Sequence, residues 1–270
     1  MIRNGVIDPH MFVDEDGSAT LFWKEDSNDV WPSLLSSLLH DRPELIDRLL
    51  SSSEDRRTAC FNALLWPWVQ TLHPMERFFV QQVLIEAVVS DFSRFRFTLA
   101  QMVLGASDPA VRAELTRLLD AMRTVIYGQR LDTERWLLTD ERSIVLENDL
   151  DWEGHLVEGV WVTKRQGRYY VFYSGNDFST GQYGIGVGVA DSSPLGPYTK
   201  FEQPFLRSTC DWSGPGHPSV ADGTDGRPWL FLHAYRPGRA GYKQFRALLA
   251  LPLTFSDGGV IADEGRRSFS

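Results

Sequence analysis

Long apolar runs are missing from this chain of 270 residues. No stretch approaches the roughly 20 residues that cross a bilayer as a helix. Positive charge is also in short supply: 27 Lys and Arg stand against 36 Asp and Glu, for a net charge of −9. Nucleic acids and anionic membrane surfaces are held by clustered cations, so neither is an expected partner. Cysteine is scarce. Cys60 and Cys210 lie far apart, in different kinds of segment, and are expected to be free thiols. No Cys/His spacing fits a zinc site. The opening residues, Met1-Ile2-Arg3-Asn4-Gly5, carry no secretory apolar stretch. Aromatic residues are plentiful, with nine Trp among them. Aromatic rings stack on the apolar faces of sugars, and they also pack β-sheets, so the composition suits both readings.

The chain changes grammar twice. Residues 1–32 read as strands: Met11-Phe12-Val13 and Thr20-Leu21-Phe22-Trp23 flank the turn Asp14-Glu15-Asp16-Gly17. Residues 33–140 read as a bundle of roughly four or five helices. Leu34, Leu35, Leu38 and Leu39 follow the helical period, as do Leu45, Ile46, Leu49 and Leu50. One long helical segment is expected from Pro74 to Leu104, stopping before Gly105. Ser107-Asp108-Pro109 gives the next helix an N-cap with Pro two residues on; its stripe runs from Val111 through Leu115, Leu118, Leu119 and Met122 to Ile126, with Gly128 as the stop. From 141 to 270 the strand pattern returns. Val160–Val162 and Tyr169–Tyr173 flank Gln166-Gly167, and Gly184–Val189, Trp229–Leu232 and Ala247–Leu253 follow. Short strands divided by Gly, Asp and Pro turns suggest a sandwich, barrel or propeller. The simplest organisation is a β domain carrying a helical domain after its first hairpin.

Four segments, in order, resemble glycoside hydrolase family 43. They are Val6-Ile7-Asp8-Pro9-His10-Met11-Phe12-Val13 running on to Trp23-Lys24; Val157-Glu158-Gly159 with Tyr169–Ser174; Tyr183 with Gly188–Ala190 and Leu195–Tyr198; and Gly214-Pro215-Gly216-His217-Pro218 with Leu232–Tyr235. The resemblance implies an α+β chain: a five-bladed β-propeller, matched from its third blade onward, with an inserted α-helical bundle. It implies inverting hydrolysis of arabinose- or xylose-containing glycans by three carboxylates. One Asp activates water, a second tunes the acid, and a Glu protonates the leaving oxygen. Glu158 matches the acid and Asp8 the modulating Asp. His217 and Arg246 match pocket residues, and Trp23 and Trp161 are candidate walls for the sugar. No cofactor is required by this chemistry, and a central calcium beside His217 is compatible with it.

The physical logic stands beside the resemblance. Protonating a glycosidic oxygen near neutral pH needs a carboxyl group with a raised pKa. A neighbouring carboxylate and apolar walls both raise it. An inverting site also needs room for water, with acid and base roughly 6.5–9.5 Å apart. The family's base Asp belongs to a blade before the one containing Asp8, so the chain is expected to be N-terminally incomplete and to lack that base. Asp177 and Asp211 are the weaker stand-ins. Val160 departs from the family's Pro. Two other readings remain open: a non-catalytic propeller remnant that binds glycan or a partner protein, and a helical interaction module on a β scaffold. The helical segment leaves after the Asp8 hairpin and returns before Glu158, which suits a lid or subsite role as well as oligomerisation.

Overall fold

Strand 168–175 shows most directly how this sequence builds its sheets. The structure, a computed structural model, describes residues 5–241, 243–256 and 259–263. In Arg168–Gly175 successive side chains point to opposite faces. Tyr170 and Phe172 enter one apolar core, with Ile185, Val187, Leu230 and Leu232. Val171 and Tyr173 enter another, with Phe22, Ile126, Val157 and Val162. A strand buried on both faces must lie between two other sheets. Each such side chain, fully removed from water, contributes about 1.5–3 kcal/mol.

Among the described residues there are three four-stranded antiparallel sheets, each following chain order. The first holds β1 (Val6–Val13), β2 (Ala19–Glu25), β3 (Val125–Asp132) and β4 (Leu137–Glu147). The second holds β5 (Val157–Arg165), β6 (Arg168–Gly175), β7 (Gly184–Ala190) and β8 (Thr199–Lys200). The third holds β9 (Ser213–Asp222), β10 (Pro228–Tyr235), β11 (Arg246–Ser256) and β12 (Gly259–Ala262). The opening strands of the sheets run side by side, β1 against β5 and β5 against β9. Turn chemistry sets the registers. Gln166 and Gly167 take φ of +52° and +75°, the primed turn that matches strand twist, and Arg165 pairs with Arg168 across it.

The helices lie between β2 and β3 in sequence: α1 (Val30–Asp41), α2 (Ile46–Leu49), α3 (Ser53–Val69), α4 (Pro74–Val89), α5 (Phe92–Gly105) and α6 (Pro109–Ala121). By contact density, Asp26–Thr124 with Gly154–Leu156 form one unit, and the sheets form the other. The helical unit has its own core around Trp31, Leu35, Leu39, Leu84, Phe95 and Leu99. Trp31 also donates its indole N–H to His155 Nδ1 at 3.1 Å, which ties the short returning segment into this unit. Caps follow the sequence: the Ser52 hydroxyl accepts from the Asp55 amide and the Asp108 carboxylate from the Ala110 amide.

Three expectations change. The helix from Asp108 ends at Ala121, and Ile126 and Gly128 belong to β3. Their apolar spacing serves a sheet: Ile126 is fully buried against Val157 and Val162, while Gly128 lies beneath Leu195 and Phe22. Residues 125–140 are therefore strands β3 and β4 with their turn, and α1 already begins at Val30. The segment 74–104 is two helices, broken at Ser90 and Asp91, where Asp91 leaves helical geometry at φ −145°, ψ 58°. Cys60 and Cys210 are free and exposed, as expected.

Candidate active site

The opening strands β1, β5 and β9 share one local device. In each, the ladder is interrupted by a bulge, with two residues facing one on the neighbouring strand. The interruptions fall between Ile7 and His10, between Glu158 and Trp161, and opposite Leu232 at His217-Pro218. In each, the first extra residue has a left-handed backbone: Asp8 at φ +53°, Gly159 at +60° and His217 at +53°. The second is Pro9, Val160 and Pro218. Proline has no N–H for the ladder, so a bulge is where a strand tolerates it. Asp and His in left-handed geometry are held at a cost, and such residues cluster where a fold aims a side chain.

Two glycines permit the close approach. A Cβ on Gly159 would stand 3.3 Å from both the Cα and Nδ1 of His217, and 3.3 Å from Ser174 Oγ. A Cβ on Gly216 would fall 1.8 Å from the Tyr183 ring.

Glu158 is the centre of the cluster. It is 8% exposed, and Tyr183 donates its hydroxyl to Oε1 at 2.8 Å. Burial is the main cause holding its carboxyl above the ordinary glutamate range. The Lys24 ammonium opposes this, Asp8 adds to it, and the Tyr183 hydrogen bond and His217 oppose it. Asp8 Oδ2 accepts the Gly159 amide at 3.0 Å, which fixes it beside the acid. The His217 amide donates to Ser174 Oγ at 2.7 Å. The rings of Tyr183 and His233 stack at 6.1 Å, and His233 stacks on His217 at 6.1 Å. Arg246 lies within 3.0 Å of His233 Nε2, which can only accept from it. His233 titrates low, at about 4, mainly because burial disfavours its charged form.

The structure thus brings together Asp8, Glu158 and His217, with Arg246 linked through His233. Trp23 is different. It is 3% exposed and packs beside Tyr127, so it offers a sugar no open face. Trp161 is half-buried and lies against His10, centroids 4.2 Å apart. Asp14 is held by Lys164 and Tyr169, a structural tie. Asp177 is buried and accepts from the Ser179 amide and hydroxyl. Lys24 and Tyr183 were visible only as letters within matched segments. Lys24 is 1% exposed, and a buried Lys on a strand is a sign of a nearby carboxylate.

The sequence model described as "Glycosyl hydrolases family 43" matches residues 116–261, over half of the chain. The chain belongs to glycosyl hydrolases family 43. Among solved structures it is similar to a thermostable family-43 glycoside hydrolase, at TM-score 0.58 and 20% identity, covering 98% of this chain and 60% of that one. It is also similar to an endo-1,4-beta-xylanase from Bacteroides thetaiotaomicron, at TM-score 0.56 and 17% identity, covering 97% and 60%. An alpha-L-arabinofuranosidase from Lactobacillus brevis matches at TM-score 0.52 and 17% identity, covering 97% and 56%. No curated protein matches the sequence. This family 43 chain therefore spans about 60% of the length of the structures it resembles. At these identities the likeness is one of fold. Successive four-stranded antiparallel sheets, joined through shared cores, make that fold propeller-like.

Calcium takes about 6–8 oxygen ligands. Among the described residues no three His, Cys, Asp or Glu side chains are grouped as a metal site, and His217 contributes an imidazole.

Proposed function

We propose that this chain carries the acid side of an inverting glycosidase site for arabinose- or xylose-containing glycans. Glu158 donates the proton to the leaving oxygen, and Asp8 keeps that proton bound. The observation that carries the reading is the pairing of a buried, hydrogen-bonded Glu158 with a carboxylate fixed at the next residue's amide. The Asp8 charge adds to the effects that keep Glu158 protonated. It is well placed to raise the acid's pKa by repulsion. Asp8 is therefore the modulator, and the base is left unassigned among the described residues.

His217 and Arg246 offer donors to sugar hydroxyls, and Trp161 keeps a partly exposed ring for a subsite. The structural neighbours that are a xylanase and an arabinofuranosidase support pentose-containing substrates. We read the three sheets as blades of a five-bladed propeller, interrupted between β2 and β3 by the helical unit.

The test is nitrophenol release from aryl pentofuranosides and pentopyranosides, with and without azide as an external nucleophile. Release that Glu158→Gln lowers by about 100-fold or more supports the proposal, since general acid catalysis contributes about 10²–10⁴-fold. Release indifferent to Glu158→Gln contradicts it. No release under either condition favours a glycan-binding role for the same site.

A further inference from the structure

We propose that Tyr183 is a positioning residue for Glu158: its hydroxyl occupies Oε1 and so leaves the transferable proton on Oε2. The inference rests on Glu158 as the acid and names what orients it.

The geometry is built from several directions. The Tyr183 hydroxyl stands 2.8 Å from Glu158 Oε1, and a phenol beside a carboxyl oxygen donates to it. In a protonated carboxyl group the carbonyl-type oxygen is the better acceptor, so the O–H falls on the other oxygen. Tyr183 is 1% exposed and cannot swing away. Its ring fills the space that a side chain at residue 216 would need, and its other neighbour is the stacked His233 ring. Ser174 completes the arrangement. It pairs with Glu158 on β5 and with Ile185 on β7, and it is fully buried. Its Oγ accepts the His217 amide at 2.7 Å. The His217 amide thus fixes Ser174 from the β9 backbone, and the Tyr183 hydroxyl holds Oε1. The charged or titratable groups acting on Glu158 are Lys24 from β2, Asp8 from β1, His217 from β9 and Tyr183 itself.

In the reaction the Oε2–H bond breaks and the proton bonds to the glycosidic oxygen. That oxygen keeps the electron pair of the breaking C–O bond and leaves as the alcohol. Water supplies the incoming oxygen and releases its proton to solvent or base. Glu158 is left as a carboxylate, and the Tyr183 bond, now charge-assisted, strengthens. The next solvent proton returns to Oε2.

Tyr183→Phe keeps the ring under Gly216 and removes only the hydroxyl, so it tests the point. On poorly activated aryl pentosides kcat should fall about tenfold, with KM unchanged. On dinitrophenyl pentosides, which leave without a proton, it should stay within about twofold. In the full chain labelled with ¹³C at the glutamate carboxyl, the Glu158 titration midpoint should move up, because a bond favouring the ionised form is gone. Equal losses on both substrate classes, or an unmoved midpoint, overturn the inference. A shifted midpoint in a chain that hydrolyses nothing leaves Tyr183 in its role toward the carboxyl and counts against the glycosidase reading instead.

Discussion

Asp8 Oδ2 accepts the backbone N–H of Gly159 at 3.0 Å, so a carboxylate on the first strand is fixed one residue beyond the buried Glu158, 150 positions later in the chain. The amide orients Asp8 without neutralising it, and its charge remains to repel ionisation of Glu158. Asp8→Asn keeps an oxygen for the Gly159 amide and removes the charge. The Glu158 midpoint should then fall, and the basic limb of the rate profile should fall with it. Activity near neutral pH drops about tenfold for each pKa unit lost. Burial, the larger cause, stays, so the midpoint should not reach that of an exposed glutamate. A pH–rate profile of the variant, or a carboxyl titration, checks this.

Lys24 gives the opposite sign. Its ammonium is buried and pulls the Glu158 pKa down. Lys24→Met removes that pull at similar length. The Glu158 midpoint should rise, moving contrary to the Asp8→Asn result in the same titration.

Gly216→Ala should damage both stability and the site. The added Cβ would overlap the Tyr183 ring, which is wedged beneath Glu158 and His233. Overpacking of this kind costs about 1–3 kcal/mol. Urea unfolding followed by tryptophan fluorescence measures it. Gly105→Ala, at the end of α5 with open space around it and no left-handed backbone, should lose less.

His10 links stability to acid. It is 8% exposed, its ring lies against Trp161, and burial lowers its pKa to about 4. The Val162 carbonyl, 3.2 Å from Nε2, opposes this only in part. Between pH 6.5 and about 4 the unfolded chain binds a proton that the folded chain refuses. Stability is full above 6.5 and falls as the pH drops toward 4, by about 3 kcal/mol in the limit. His10→Gln should remove that slope, seen as a narrowing gap between wild type and variant in unfolding experiments from pH 7 to pH 4.

Much of the fold was legible because its elements follow local rules. Tyr169–Tyr173 and the Gln166-Gly167 turn lie where periodicity and turn chemistry put them, and the cap expected within Ser107-Asp108-Pro109 falls on Asp108. Ile126 misled because an apolar residue four positions after Met122 fits a helical stripe and a buried strand equally well. Asp91 broke an apolar pattern that periodicity alone would carry through. That Glu158, Asp8 and His217 come near one another was expected from the motifs that hold them. The left-handed backbones that aim Asp8 and His217 were not, since neither residue type demands that conformation. Tyr183 meets Glu158 across two strand pairings, and no local pattern announces a contact 25 residues away. Trp23 looked like a sugar wall for its residue type, and only the packing of β2 beside Tyr127 shows it covered.

The most direct test is the protonation of Glu158 itself, read in the intact chain by carboxyl ¹³C NMR from pH 3 to 9, with its resonance identified by loss in Glu158→Gln. The account predicts a midpoint above the 4.5 of an ordinary glutamate, lowered by Asp8→Asn and raised by Tyr183→Phe. A midpoint at or below 4.5, indifferent to both substitutions, would contradict it.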